Sequence, residues 1–237
     1  MTTRFYIDGL NLYYGALKGT SDKWLDLEAF ADRLTPRDRI DSVKYFTARV
    51  VDRYPGDRTG ERQQVYLRAL RTLPKVDVHL GHFRADVKWR TLADRKFDPI
   101  ELFTPRFRPA WLYRLFWRDQ VGRRTEPATS ARVMIYEEKS SDVILGVNLV
   151  HDAATGAISK AIVVTNDSDL EEAIRLARSS GVQVRVVNPH RTPSSRRLRN
   201  AADFEIPLRR EILAQCQLAE HLTTNKGRQI QRPKQWR

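Results

Sequence analysis

Apolar residues in this chain follow two periods by turns. Ala161-Ile162-Val163-Val164-Thr165 and Val182-Gln183-Val184-Arg185-Val186-Val187 are short β-branched runs, which read as strands buried in a sheet. Between them Leu170, Ala173, Ile174, Leu176 and Ala177 fall at helical spacing, and Gly181 stops the helix. A strand-helix-strand unit of this length predicts parallel pairing, because parallel neighbours need a crossover.

The same alternation runs through the rest of the chain. Arg4–Ile7 reads as a strand and Trp24–Leu34 as a helix closed by Pro36. A strand follows around Val43–Ala48, then a helix over Arg62–Leu73 and a strand over Val76–Phe83. Val133–Tyr136 resumes the sheet, Val143–Val150 is an apolar helix, and Phe204–Ile206 is a short edge strand. Leu208–Leu222 reads as a last amphipathic helix. The pattern predicts an α/β fold, a mostly parallel central sheet flanked by helices. Two stretches break it. Residues 84–132 mix arginines and lysines with aromatic residues and prolines, which predicts an insertion or cap within a domain spanning 1–222. Thr223–Arg237 carries five cations with little to bury and is expected to be a mobile basic tail.

Charge narrows the class of partner. Over 237 residues, 42 Lys and Arg outweigh 29 Asp and Glu, giving a formal charge of +13, so a polyanion is the expected ligand. No apolar run approaches a membrane span, and no long basic amphipathic helix favours a membrane surface. Cys216 is the only cysteine, which excludes a disulfide framework or a cysteine zinc site, and a reducing cytoplasm is expected.

Candidate chemistry gathers where strands hand over to helices, the edge on which open α/β sheets bind ligands. Asp8 ends the first strand, before Gly9, with Asn11 just beyond. Asp142 starts the helix after Tyr136, and Asn148 lies nearly two turns further along it. Asn166, Asp167, Ser168 and Asp169 follow the 161–165 strand. Each position alone is accounted for by a turn or a helix cap. Together they would place several carboxylates on one edge if their strands are neighbours, and such crowding calls for a hard cation such as Mg²⁺ or Mn²⁺. In the insertion Lys88, Arg90, Arg106, Arg108, Arg114 and Arg118 stand among aromatic residues suited to base stacking, or the aromatics are simply its core. Arg196 and Arg197 head a basic helix, which reads either as a phosphate contact or as a solvated face.

Three motifs then carry a resemblance. Ile7-Asp8-Gly9-Leu10-Asn11-Leu12-Tyr13-Tyr14, Glu137-Glu138-Lys139-Ser140-Ser141-Asp142-Val143 and Val164-Thr165-Asn166-Asp167-Ser168-Asp169-Leu170 resemble, in order, those of the NYN domain, a branch of the PIN-like nucleases. The resemblance implies a Rossmann-like PIN fold and metal-dependent endonucleolytic cleavage of RNA. It implies Asp8 and Asp167 as direct ligands of Mg²⁺ or Mn²⁺, with Asp142 and Asp169 as ligands or water-mediated partners. Asn11 and Asn166 would orient water or phosphate, with Ser168 as a further polar group. Asn148 departs from the pattern, since many relatives carry an acid there. RNA is the expected partner, and a second copy of the chain or a regulatory protein is a further one.

Two rivals stand beside this reading. One is a non-catalytic RNA-binding module on a degenerate NYN scaffold, motivated by Asn148. The other is a different Mg²⁺-dependent phosphoryl-transfer enzyme, although no Gly-rich phosphate loop is present. Serine or cysteine hydrolysis lacks a nucleophile elbow.

Overall fold

The computed structural model of the protein describes residues 2–52, 54–91, 130–224 and 226–236. Its strands are β1 (Thr3–Asp8), β2 (Ile40–Ala48), β3 (Val76–Thr91), β4 (Ser130–Lys139), β5 (Lys160–Val164), β6 (Gln183–Asn188) and β7 (Phe204–Pro207). Six of them form a parallel sheet in the order β3-β2-β1-β5-β6-β7, and β4 lies beyond β3 in the same sheet. The expected α/β architecture, a parallel sheet flanked by helices, is what the chain adopts.

Period-two alternation along the central strands explains the two-sided core. In β1, Phe5 and Ile7 are buried on one face with Val43, Tyr45, Phe30, Leu67 and Leu70. Tyr6 turns to the other face with Phe46, Val163, Leu145, Leu149 and Ile174. The helices are α1 (Gly9–Leu12), which runs on into a π-helical turn over Tyr13–Leu17, then α2 (Leu27–Leu34) and α3 (Thr59–Leu70). They continue with α4 (Ser141–Ala154), α5 (Glu171–Ser179), α6 (Arg196–Ala201) and α7 (Glu211–Gln215). No helix among the described residues is long and apolar enough to cross a membrane.

Several boundaries differ from the sequence reading. The last helix is confined to Glu211–Gln215, because the chain after Cys216 leaves the helix to bridge Leu25 through Gln217. The segment expected to be a mobile tail is ordered. β8 (His221–Thr223) pairs antiparallel with β9 (Gln229–Gln231), Ile230 is buried, and Trp236 packs against Trp24 and Tyr66. A few apolar residues suffice to anchor the segment once they reach a core that lies far away in sequence.

Residues 84–137 form a compact unit of their own, which includes the distal part of β3 and most of β4. Lys88 and Arg90 stand on β3. Arg106, Arg108, Arg114 and Arg118, with the aromatic residues among them, lie outside the described residues.

Candidate active site

Asp8 sits at the carboxyl end of β1, buried to 4% exposure. Its side chain caps α1, with Oδ1 accepting from the backbone N–H of Asn11 at 2.9 Å. Thr165 Oγ1 donates to Oδ2 at 3.2 Å from the end of the neighbouring strand β5. The turn that permits this is tight. A Cβ on Gly9 would lie 2.5 Å from Tyr45 Cζ and 2.8 Å from the Phe46 carbonyl oxygen, so only glycine fits.

The late motif folds around the same end. Asn11 Oδ1 accepts from the Asn166 N–H at 2.9 Å, and His190 Nε2 lies 3.1 Å from that oxygen. The Asp167 N–H donates to Thr165 Oγ1 at 3.0 Å, and Asp167 in turn caps the 3-10 turn over Ser168–Leu170 by accepting from the Asp169 N–H at 3.0 Å. Asp169 is exposed. Thr165 and His190 were not singled out by the sequence reading. Thr165 belongs to the late motif, and His190 follows the carboxyl end of β6, so strand-end position was the available signal.

Asp142 arrives by a different route from the one expected. Its preceding strand, β4, is separated from β1 by β3 and β2, so strand adjacency does not bring it in. Instead α4 packs across β1 and β2, and its first turn carries Asp142 to the site edge. The chain enters α4 through Ser140, whose φ of 80° lies in the left-handed region that a non-glycine residue adopts at a cost. Ser141 Oγ donates to Asp142 Oδ1 at 3.2 Å.

Electrostatics ties the acids together. The Asp8 carboxyl is pushed up to about 7, chiefly by burial and further by the negative charges of Asp142 and Asp167. The bonds from Asn11 and Thr165 offset only part of that rise. Among the described residues, no group of three or more His, Cys, Asp or Glu side chains is spaced to hold a metal ion. The donor chemistry still fits a hard cation. The groups are carboxylate and amide oxygens, the Asp8 carboxyl carries a surplus of negative field, and Asn166 Oδ1 is buried without a hydrogen-bond partner among the described residues.

Asn148 lies lower on α4, in a separate network. Lys44 Nζ donates to Asn148 Oδ1 at 2.9 Å and to Asp152 Oδ2 at 2.7 Å. Arg4 pairs with Asp152 at 2.8 Å, and Tyr6 donates to it at 2.6 Å. Burial alone would raise the Asp152 carboxyl, but the bonds from Lys44, Tyr6 and Arg4 outweigh it and hold the group below its usual range.

Arg196 and Arg197 are exposed at the start of α6, which packs against the 3-10 turn of the late motif. Arg197 Nε lies 3.9 Å from Glu171 at the start of α5.

Comparison with known proteins bears on this edge. Residues 116–209 match the NYN domain, a span that includes Asp142, Asp167 and Asp169 but begins well after Asp8. The chain is 30% identical over 208 residues to 6-hydroxy-3-succinoylpyridine 3-monooxygenase HspA of Pseudomonas putida. That alignment covers 80% of this chain and 60% of the relative, so the chain spans about three fifths of the relative's length. A crystal structure of a protein of unknown function from Vibrio parahaemolyticus superposes with a TM-score of 0.45 and 15% identity, over 88% of this chain and 93% of that one.

Proposed function

From the match of residues 116–209 to the NYN domain and the geometry of the acidic edge, we propose that the chain is an NYN-type metal-dependent endoribonuclease. The family is nuclease-like, and the observation that carries the finer reading is Asp8. A carboxyl at a strand end, raised by its burial and further by two neighbouring acids, is what a divalent ion would stabilise in its charged form. Asp8 and Asp167 are the proposed direct ligands, with Asp142 and Asp169 as direct or water-mediated partners. Held there, Mg²⁺ or Mn²⁺ would supply a water of lowered pKa and charge to offset that of the leaving oxygen of a phosphodiester.

The chain's own residues set the geometry. Thr165 and the Asn11 N–H fix both oxygens of Asp8. Asn11 clasps the Asn166 backbone, which keeps the first and late motifs in register and leaves the Asn166 side chain to orient water or phosphate. Arg196 and Arg197 lie beside the late motif, where they would track the RNA backbone without reading bases. Lys88 and Arg90, with the basic residues of the insertion, would add to that attraction.

A specific observation favours a second reading, that of an RNA-binding module without catalysis. Asn148 is neutral and already bonded to Lys44, so it adds no charge to the acids above it. The relative's name adds a third outcome to test, monooxygenation of 6-hydroxy-3-succinoylpyridine. The deciding experiment incubates the full chain with mixed-sequence RNA and DNA in Mg²⁺, Mn²⁺ or chelator. Internal cuts in RNA that stop with chelator support the nuclease. A gel shift without shortening favours the binding module. Inert RNA, together with oxygen-dependent loss of a hydroxypyridine in the presence of a reductant, would transfer the relative's activity instead.

A further inference from the structure

A cavity of about 500 Å³ opens beside the acidic edge, between α1 and its π-helical extension, the end of β2, the start of α3 and the C-terminal segment. The volume falls within the roughly 300–1,000 Å³ usual for small-ligand sites. Its walls are aromatic to an unusual degree. Tyr45 and Tyr66 meet edge to face with centroids 6.4 Å apart, and Trp236 meets Tyr66 at 5.9 Å. Tyr14 is 51% exposed and Tyr54 67% exposed, so part of each ring is accessible to a ligand even with Lys18 over one face of Tyr14.

The charged lining is mostly of one sign. Among the cavity's lining residues, Lys18, Lys23 and Arg62 stand with one acid, Asp57, which accepts from the N–H and Oγ1 of Thr59, the first residue of α3, at 2.9 and 2.6 Å. Lys23 Nζ has a backbone acceptor, the Thr20 carbonyl at 2.5 Å, while Lys18 Nζ rests 5.0 Å above the Tyr14 ring. Burial, and next the charges of Arg62 and Arg232, hold the Lys23 ammonium below its ordinary range, so an anion seated beside it would favour its charged form.

We propose that this cavity binds a planar aromatic ring bearing an anionic group, the ring stacked on the Tyr14 and Trp236 side and the anion beside Arg62 and Lys23. The same chemistry has two sources, a nucleotide of an RNA strand or a free heteroaromatic acid. Only the first rests on the nuclease reading. For that source the placement is apt, because Gly9 and Thr47 line the cavity and Gly9 adjoins Asp8. A base seated here would hold its strand beside the acids.

Calorimetric titration of the full chain in chelator tests this without any cleavage. The probes are the four ribonucleoside 5′-monophosphates, the matching nucleosides, inorganic phosphate and nicotinate. Saturable binding of a monophosphate or of nicotinate is expected, with nucleoside and phosphate alone weaker by about tenfold or more, the scale of a lost stack or ion pair. Tyr14→Ala and Arg62→Gln should each weaken binding about tenfold in a chain that still melts cooperatively. Preference for monophosphates over nicotinate assigns the nucleotide source, and the reverse assigns the free acid. Absence of saturable binding by every probe, or binding indifferent to both substitutions, overturns the proposal. Binding that persists in a chain unable to cut RNA would remove the nuclease reading alone.

Discussion

The side-chain oxygen of Asn11 accepts the backbone N–H of Asn166 at 2.9 Å, joining the turn after β1 to the turn after β5 across 155 residues of sequence. The bond holds Asp8 and Asp167 on one edge, and it makes Asn11 a structural residue as well as a candidate for orienting substrate.

Asn11→Ala leaves that N–H without its acceptor and removes the contact with His190. A loss of about 1–3 kcal/mol is expected, the cost of a partly buried donor left unpaired. Denaturant unfolding measures it, and an unchanged midpoint would show that the clasp is idle.

Asp8 makes stability depend on pH. Its carboxyl titrates near 7 in the folded chain and near the ordinary aspartate value when unfolded, so the folded state binds the extra proton between those limits. The stability associated with the protonated group is complete below about pH 4 and declines as pH rises through about 7. Asp8→Asn should therefore stabilise the metal-free protein at pH 8 and flatten this part of the profile. Thermal melts in chelator from pH 5 to 8 provide the check, and parallel profiles for the two proteins would contradict it.

Gly9→Ala places a methyl 2.8 Å from the Phe46 carbonyl oxygen as well as against the Tyr45 ring. The ring can yield, but the strand backbone cannot without disturbing the β1–β2 pairing. Destabilisation of about 1–3 kcal/mol is expected, with any cleavage reduced in proportion to the displacement of Asp8. Equal stability by calorimetry would indicate slack in the turn.

The network below the site yields the opposite expectation at two neighbouring positions. Asp152→Ala removes the anion that Arg4 and Lys44 share and the acceptor of Tyr6, leaving Arg4 with Asp41 and Lys44 with Asn148, at a cost of about 1–3 kcal/mol. Asn148→Asp adds a charge that Lys44 is placed to neutralise, so folding and the metal requirement of cleavage should change little. A large gain in activity for Asn148→Asp would mean instead that this position belongs to the metal site.

How far the sequence announced this arrangement depends on the kind of information each residue carries. β1 and β5 were legible because both of their faces are apolar, and Asp8 and Asp167 could be placed at strand ends from that alone. The match over residues 116–209 bears out the family resemblance at the central and late motifs, while the first motif lies outside it. Strand order was not legible, since periodicity reports faces and not neighbours. Asp142 was expected through an adjacent strand, whereas helix packing brings it in. Trp236 looked like part of a tail because its partners, Trp24 and Tyr66, are remote in sequence. The aromatic cavity was missed for the same reason, its rings coming from five separate segments.

The central claim is that Asp8 and Asp167 act as one unit on a phosphodiester. Cleavage of an end-labelled RNA in Mn²⁺ by the native chain, Asp8→Asn and Asp167→Asn tests it most directly, with gel-shift affinity measured alongside. The expected result is metal-dependent internal cutting by the native chain and its loss in both variants, with RNA affinity held within a few-fold. Undiminished cutting by both variants, or none by the native chain with either metal, would contradict the account.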